Sequence, residues 1–347
     1  MLESMGWARC NFRFLHRWLT EHHAKNQPEV AVFDFDNTCI YHDIGEAVLR
    51  WQLEHKAFRF GAETLKSILS PPPGAPAFLS DGTPVNELLD QMQVQFDLMK
   101  RGATDAKHNF LVLLFHLYNE GTNTKGLGPQ YTYLMTAQML AGYSAEEIDK
   151  LVHYVLDQER IHFGKTKTWT KKDPDLLGPN QTSYDMGLKH HPEIINLMKG
   201  LQKAKITPHI VTASAEHLVA PVTRFWDYPV KRENIIGVRL KIEKDCLTET
   251  PDEAHPQPIA EGKPKAIKKY LQQAPVFVAG DSFNDQPMLL GFEETQVRLL
   301  LHRPGAGLDF MYRSAIQDGQ PARTFPVTVL QGRDKNTGSF NRNTTCS

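Results

Sequence analysis

Residues 30–41, VAVFDFDNTCIY, decide the fold. Val30 to Phe33 form an apolar run fit for a strand covered on both faces, and two aspartates one residue apart follow it directly. Carboxylates are among the side chains least often buried without a partner. The strand therefore either runs out into solvent at Asp34, or delivers Asp34 and Asp36 to a cation.

Upstream, the spacing predicts an amphipathic helix with Phe14, Leu15, Trp18 and Leu19 on one face. Downstream, from Asp43 to about Lys189, apolar residues recur mostly at helical spacing, as in GEAVLRWQLEHKAF and SAEEIDKLVHYVLDQERIHF. Clusters such as SPPPGAPAF and GTNTKGLGPQ punctuate that region as loops. The remainder alternates. HPEIINLMKGLQKA reads as a helix, ITPHIVTAS as a strand, AEHLVAPVTRFW as a helix, and NIIGVRLKI as a strand or hairpin. GKPKAIKKYLQQ reads as a helix, and PVFVAG and QVRLLLHR as strands. Alternating strands and helices predict an α/β fold, a Rossmann-like parallel sheet sandwiched by helices. A large helical domain is inserted after the first strand. The expected boundaries are 1–27 for an N-terminal helical extension, 28–43 with 190–330 for the core, 44–189 for the insert, and 331–347 for a flexible polar tail.

The 347 residues are 41% hydrophobic and 23% charged, ordinary values for a globular protein with a sizeable core. A formal net charge of −1 offers no electrostatic argument for nucleic acid or an anionic membrane as partner. Cys10, Cys39, Cys246 and Cys346 show neither a C-x-x-C pair nor disulfide-framework spacing, which predicts free thiols in a reducing compartment. The first residues lack the apolar region of a signal peptide, and no apolar run is long enough to span a bilayer. A cytoplasmic protein is expected, although export without a removable signal would leave no trace. The pairs His22-His23 and His190-His191 lack zinc-ligand spacing and read as surface residues.

In an open parallel sheet, ligands bind beyond the carboxyl ends of the strands. Those ends read, in order, DFDNT, then TAS, then the basic segment EGKPK, then GDSFND. Carboxylates, hydroxyls, a lysine and more carboxylates suit a doubly charged anion bridged to a hard cation. Each motif also has a plainer reading. DFD can end a strand in a polar loop or cap a helix, and Ser282 with Asp285 has capping-box spacing. Lys263 can be a first-turn residue of a solvated helix, and Thr212 can reflect β-propensity alone. Four such coincidences in order along alternating strands and helices are much harder to accept than one site. TAS offers both Thr212 and Ser214, the latter also a candidate N-cap, and EGKPK offers Lys263 and Lys265.

Asp-x-Asp-x-Thr, a strand-terminal Thr or Ser, Lys, and Gly-Asp-x-x-x-Asp, in that order, resemble the phosphatase side of the haloacid dehalogenase-like (HAD) superfamily. The resemblance covers roughly residues 30–43 and 191–303. The insert resembles the helical C1 cap of the phosphoserine phosphatase and phosphorylcholine phosphatase branch. The stretches YTYLMTAQMLAGYSAEEIDKLV and QVRLLLHR lean toward the phosphorylcholine side. The resemblance implies a phosphomonoester hydrolase with Mg²⁺ as cofactor and a small soluble phosphate ester as partner. Asp34 would be the nucleophile and Asp36 the acid and base. Thr212 and Lys263 would bind phosphate, and Asp34, Asp36 (through its carbonyl) and Asp281 would hold the metal. Thr38 would steady the loop, and Asp285 would hold a metal-bound water or order its own loop. A carboxylate nucleophile needs no activating base at neutral pH, but its attack on a dianion needs charge neutralisation. Cys39 has no activating histidine partner evident in the sequence and reads as a small packing residue beside this loop.

Asp43 lies where such caps carry an acidic residue facing a substrate amine. It is equally placed to sit at a helix N-terminus. The arginine-containing cap motif of phosphoserine phosphatases is not recognised in the insert. Tyr41, Trp51, Tyr131, Tyr133, Trp169 and Tyr184 offer either an aromatic cage for a quaternary ammonium, as in phosphocholine, or cap core. A phosphoserine-type phosphatase, a phosphotransferase or mutase, and a non-catalytic binding protein on the same fold are the alternatives the motifs leave open.

Overall fold

The computed structural model describes residues 2–25, 27–316 and 326–343. Its strands in chain order are β1 (Glu29–Phe33), β2 (Ile40–Tyr41), β3 (Thr166–Thr170), β4 (Gln181–Asp185), β5 (Lys189–His190) and β6 (Ile206–Ala215). They continue with β7 (Ile235–Val238), β8 (Leu240–Glu243), β9 (Cys246–Pro251), β10 (Phe277–Gly280), β11 (Val297–Leu301) and β12 (Val327–Gln331). The chain divides into two compact units, Met1–Asp43 with Leu188–Gly237 and Ala254–Ser347, and Ile44–Gly187 with Val238–Glu253.

The first unit is the α/β unit. Its six-stranded sheet has the order β12-β11-β10-β1-β6-β7. β1 pairs in parallel with β6 on one side and β10 on the other, and β10, β11 and β12 continue in parallel. The strand that carries the two aspartates is therefore central, which explains its uniform apolar character: four of its five residues are buried. Alternate side chains leave the pleat on opposite sides. On one side Val32, Val211, Val278 and Leu300 pack with Ile267, Met288 and Leu289. On the other, Phe277 meets Phe33 at 5.3 Å and Trp18 at 5.8 Å between ring centroids. Trp18 belongs to the first helix, Arg9–Lys25, whose buried residues include the expected stripe Phe14, Leu15, Trp18 and Leu19.

The second unit is mainly helical, with helices Ile44–His55, Ala62–Leu69, Val85–Lys100, Thr104–Asn123, Gly128–Gln138 and Ala145–Ile161. Phe58, Phe60, Phe96 and Phe110 anchor its own core, with Phe96 stacked on Phe60 at 5.7 Å. The helix Ala145–Ile161 opens on a capping box: Ser144 Oγ accepts from Glu147 N at 3.2 Å and Ser144 N donates to Glu147 Oε2 at 3.0 Å. No helix among the described residues is long and apolar enough to cross a membrane.

Several expectations are corrected. NIIGVRLKI splits: Ile235–Val238 lies at the sheet edge, while Leu240–Glu243 pairs with Cys246–Pro251 in the second unit. That unit therefore gathers a hairpin from beyond residue 189. It also contains the β3–β4 hairpin, in a stretch read as mostly helical. The polar stretch after residue 330, expected to be a flexible tail, is structured through Asn343. Gln331 ends β12 and is fully buried, and the segment beyond it turns back so that Asn341 N donates to Gly332 O at 2.9 Å. Cys346 and the last residues of that tail lie outside the described residues. His22 and His191 are buried, at 2% and 0% exposure, against the surface reading. His22 finds a backbone acceptor in Trp18 O at 3.0 Å, which permits its burial. Cys39 and Cys246 are free thiols.

Phe277, sandwiched between Trp18 and Phe33, should be a principal anchor of the sheet. Phe277→Ala is expected to lower unfolding free energy by about 3–5 kcal/mol. Phe283→Ala, at a side chain 61% exposed, should change it by less than about 0.5 kcal/mol. Urea denaturation followed by tryptophan fluorescence checks both.

Candidate active site

Three strand ends meet at one edge of the sheet. Asp34 follows β1, and its N–H continues the ladder by donating to Ala279 O at 2.9 Å. Beyond it the chain folds back tightly: Phe35 O accepts from Thr38 N, Cys39 N and Ile40 N at 3.2, 2.7 and 3.2 Å. Asn37 takes the left-handed conformation (φ 58°) that this turn requires. Thr38 Oγ1 donates to Asp34 Oδ2 at 3.0 Å, and Lys263 Nζ donates to Asp34 Oδ1 at 2.6 Å. Both nucleophile-candidate oxygens are thus oriented by named donors. Cys39 O accepts from Tyr228 Oη at 2.5 Å and His191 N at 3.2 Å, which fixes the far end of the turn.

Lys263 stands in the first turn of the helix Gly262–Leu271 and is only 1% exposed. Its ammonium bridges Asp34 and Asp285, with a second 2.6 Å contact to Asp285 Oδ1. Lys265 is exposed, and Lys263 is the lysine of that segment that contacts the carboxylates. Gly262 is required by crowding: a Cβ there would lie 1.9 Å from Gln257 O. Asp281 follows β10, is 2% exposed, and accepts from Arg303 Nη1 at 2.9 Å. Asp285 Oδ2 accepts from the backbone N–H groups of Asp281 and Ser282 at 3.0 and 3.1 Å. Asp285 thus both orders its own loop and faces the cluster. A Cβ on Gly280 would come within 2.7 Å of Asp285 Cβ, so glycine there admits this carboxylate.

Asp36 points elsewhere. Its Oδ2 accepts from Ser214 Oγ at 2.6 Å and, at the limit of hydrogen bonding, from Thr212 Oγ1 at 3.5 Å. Thr212 Oγ1 in turn accepts from Ser214 N at 3.0 Å. Ser214 lies within β6, and the following helix Glu216–Phe225 is capped at Ala215, so the N-cap reading of Ser214 does not hold. Asp43 directly precedes the helix Ile44–His55, half-buried, and is not one of the converging carboxylates. Among the aromatics, Tyr131 donates to Leu69 O at 2.7 Å, Tyr184 donates to Glu54 Oε1 at 2.6 Å, and Trp51 stacks on His55. Tyr131 and Trp169 are buried in the helical core. Sequence reasoning did not single out Arg303, although it closes the strand-like QVRLLLHR at another strand end, where it was open to notice.

Oxygens of Asp34, Asp281 and Asp285 lie within 4.8 Å of one another, all three side chains buried. Like charges this close raise one another's pKa, and burial adds to the effect. Asp34 is pushed up to about 7 by burial and by the Asp285 charge, with Lys263 opposing. Asp281 is raised by burial, with Arg303 opposing. Burial alone would lower the Lys263 ammonium, but Asp285 and Asp34 outweigh it and the net shift is upward. Burial and the nearby aspartates push the Cys39 thiol well up, which removes it as a nucleophile. Hard carboxylate oxygens with no sulfur or imidazole donor in the group fit Mg²⁺ better than zinc or copper.

No family model matches the chain, and no curated protein matches it. Among solved structures, a conserved protein of unknown function from Anaerococcus prevotii DSM 20548 superposes with a TM-score of 0.81 at 20% identity. The match covers 99% of this chain and 97% of that one, and shows a shared fold. Two likenesses are partial. A protein of unknown function from Bordetella pertussis Tohama I has a TM-score of 0.42 at 16% identity, covering 80% of this chain and 92% of that one. A HAD family hydrolase from Salmonella enterica subsp. enterica serovar Typhi has a TM-score of 0.40 at 13% identity, covering 83% and 72%.

The raised Asp34 carboxyl has a signed consequence in metal-free protein. Its folded value of about 7 lies above the ordinary 3.8, so between these pH values the folded state holds a proton that the unfolded chain has released. Stability from this group is greatest at the acid end of that window, falls as pH rises through it, and levels above about 7. Asp34→Asn should flatten this part of the profile and raise the urea midpoint at pH 8 in the presence of a chelator.

Proposed function

We propose that the chain is a Mg²⁺-dependent phosphomonoester hydrolase of the haloacid dehalogenase-like superfamily, working through an aspartyl phosphate. The observation that carries the reading is the convergence of Asp34, Asp281, Asp285 and Lys263 at one sheet edge, with Asp36 held apart from them by Ser214. Four ordered motifs spread along the chain from Asp34 to Asp285 have no packing reason to bring three buried carboxylates together.

Asp34, Asp281 and Asp285 would hold the cation, which when bound would offset the negative charge of the substrate phosphate and of the carboxylates around it. The chain's own groups do the rest. An Asp34 carboxylate oxygen attacks phosphorus and the bond from phosphorus to the ester oxygen breaks. Asp36 delivers a proton to that departing oxygen. Water then attacks the phosphorus of the aspartyl phosphate and gives its proton to Asp36. The acyl-phosphate P–O bond breaks, phosphate leaves, and the Asp34 carboxylate is restored. Thr38 and Lys263 hold the Asp34 carboxylate in register for the attack, and Lys263 adds positive charge where the phosphoryl group would sit. Ser214 and Thr212 hold the Asp36 carboxyl. The Asp36 carboxyl thus has surroundings different from those of Asp34, a division of labour that supports the two-aspartate scheme.

The helical unit is proposed as a cap of the C1 type that selects the substrate. A small phosphorylated metabolite bearing an amine, phosphocholine first among candidates, is the proposed class, with Asp43 opposite the amine. The aromatic side chains support this less than the sequence suggests, because Arg50 and Lys167 already lie over the Tyr184 and Trp169 rings and Tyr131 is buried in the helical core.

Purified protein with Mg²⁺ is expected to release inorganic phosphate from p-nitrophenyl phosphate, and a chelator should stop it. Asp34→Asn should reduce turnover to background. Asp36→Asn should lower kcat by about 10²–10⁴-fold. Absence of phosphate release from both an aryl phosphate and a panel of metabolite esters would sink the reading. For the substrate class, Asp43→Asn should raise KM for phosphocholine by about tenfold, equivalent to about 1.4 kcal/mol, while leaving KM for p-nitrophenyl phosphate unchanged. Equal effects on both would remove Asp43 from substrate selection.

A further inference from the structure

The segment after β12 contains no motif and is strongly polar, yet it is tied to the α/β unit at every turn. Gln331 Oε1 accepts from Ala8 N and from Asn11 Nδ2, both at 3.0 Å, while its amide nitrogen donates to Gly332 O and Asn341 O at 3.0 and 3.1 Å. Arg333 bridges antiparallel to Phe340, and Asp334 N donates to Ser339 O at 2.8 Å. Residues 332–341 thus form a hairpin. Phe340 seals one side of it between Trp7, edge-on at 5.0 Å, and His191 at 4.9 Å.

The other side of the hairpin grips the turn that follows Asp34 and Asp36. Lys189 Nζ donates to Thr337 O and Ser339 Oγ, both at 2.8 Å, and β5, which carries Lys189, pairs with β2 at the end of that turn. Tyr41 Oη donates to Lys335 O at 3.2 Å. The Arg333 guanidinium lies 5.3 Å over the Tyr41 ring, and its Nη1 donates to Asn37 O at 2.6 Å. Asn37 is the one residue between Asp36 and Thr38, and it holds a positive φ. A non-glycine residue in that conformation persists only where its surroundings over-determine it. Other bonds that hold the turn include those to Phe35 O and Cys39 O, the Asn37 N–H to His42 O at 3.0 Å, and the side-chain bonds of Thr38 to Asp34 and of Ser214 to Asp36. Arg333 supplies the bond to the Asn37 carbonyl from almost 300 residues away. A planar, always-charged guanidinium stacked on an aromatic ring suits such a fixed bond better than a lysine would.

We propose that Arg333 is a positioning residue of the turn that carries Asp34, Asp36 and Thr38, and that the 332–341 hairpin is a built part of the active site. Its effect on turnover rests on the phosphatase reading above; its effect on the turn does not.

Hydrogen exchange read by mass spectrometry separates the two. In Arg333→Ala, the peptide spanning residues 34–41 should exchange about tenfold faster, while peptides from β11 and from Ala145–Ile161 keep wild-type rates. Millimolar guanidinium, far below denaturing levels, should restore protection to the Ala variant. Arg333→Lys, which keeps charge but loses the planar fork, should fall between, and serves if the Ala variant does not fold. With p-nitrophenyl phosphate and Mg²⁺, the Ala variant should lose about 10–100-fold in kcat with KM within about twofold, and recover in part with guanidinium. Unchanged exchange across 34–41 in both variants overturns the proposal, as does a kcat that stays at wild type. A wild-type protein without turnover overturns the phosphatase reading alone, and the exchange result then decides the role of Arg333 in the turn.

Discussion

Lys263 Nζ sits 2.6 Å from both Asp34 and Asp285, and much of the α/β unit is arranged to keep it there. Three carboxylates with oxygens inside 4.8 Å of one another, all buried, repel strongly in a medium of low dielectric. Lys263 and Arg303 pair with them directly. Removing the lysine would leave buried carboxylate charge uncompensated, typically at about 3–5 kcal/mol. The glycines on either side follow from this constraint. Gly262 lets the lysine's helix start against Gln257 O, and Gly280 lets Asp285 approach the strand that leads to Asp281.

Preorganisation of this kind sets stability against function. The sheet interior earns its stability from packed apolar residues such as Phe277, Phe33 and Trp18, and the strand ends give part of it back as buried like charge. A rigid central strand is what makes the exchange workable. Asp34 is held through its own backbone N–H by β10, through one oxygen by Thr38 and through the other by Lys263. Asp36, two residues on, is held by side chains at the end of β6 instead. Two carboxylates on one turn thus meet different surroundings, a metal-type cluster and a pair of hydroxyls. The proposed division into nucleophile and proton carrier would draw on such a difference of environment.

The features that sequence reading misjudged share a cause. Periodicity detects a face of a helix or strand, and it is blind to polar side chains whose partners lie far along the chain. Gln331 and Asn11 form a buried amide pair across 320 residues, so the polar stretch they anchor reads as a tail. His191 is fully buried beneath Phe340 of the same hairpin, though a pair of histidines reads as surface. Ser214 has the composition of a cap, but β6 runs on through Ala215 and turns its hydroxyl toward Asp36. The β8–β9 hairpin packs with the helical unit because its apolar residues, Leu240 and Leu247, are buried there, which no local pattern encodes.

By itself the sequence determined the α/β alternation, the apolar strand of VAVFDFDNTCIY, and the first helix with its Phe14, Leu15, Trp18 and Leu19 stripe, and it offered the candidates Asp34, Asp36, Thr212, Lys263, Asp281 and Asp285. Those are properties of short stretches, where apolar spacing and strand-end chemistry are written locally. Tertiary structure alone decided that Lys263 rather than Lys265 bridges the carboxylates, that Asp285 joins Asp34 and Asp281 while Asp36 turns to Ser214, and that Arg303 and Arg333 close around them. Each of those outcomes depends on which side chains the folded sheet edge brings within about 3 Å, a distance set by packing between segments that the sequence keeps far apart.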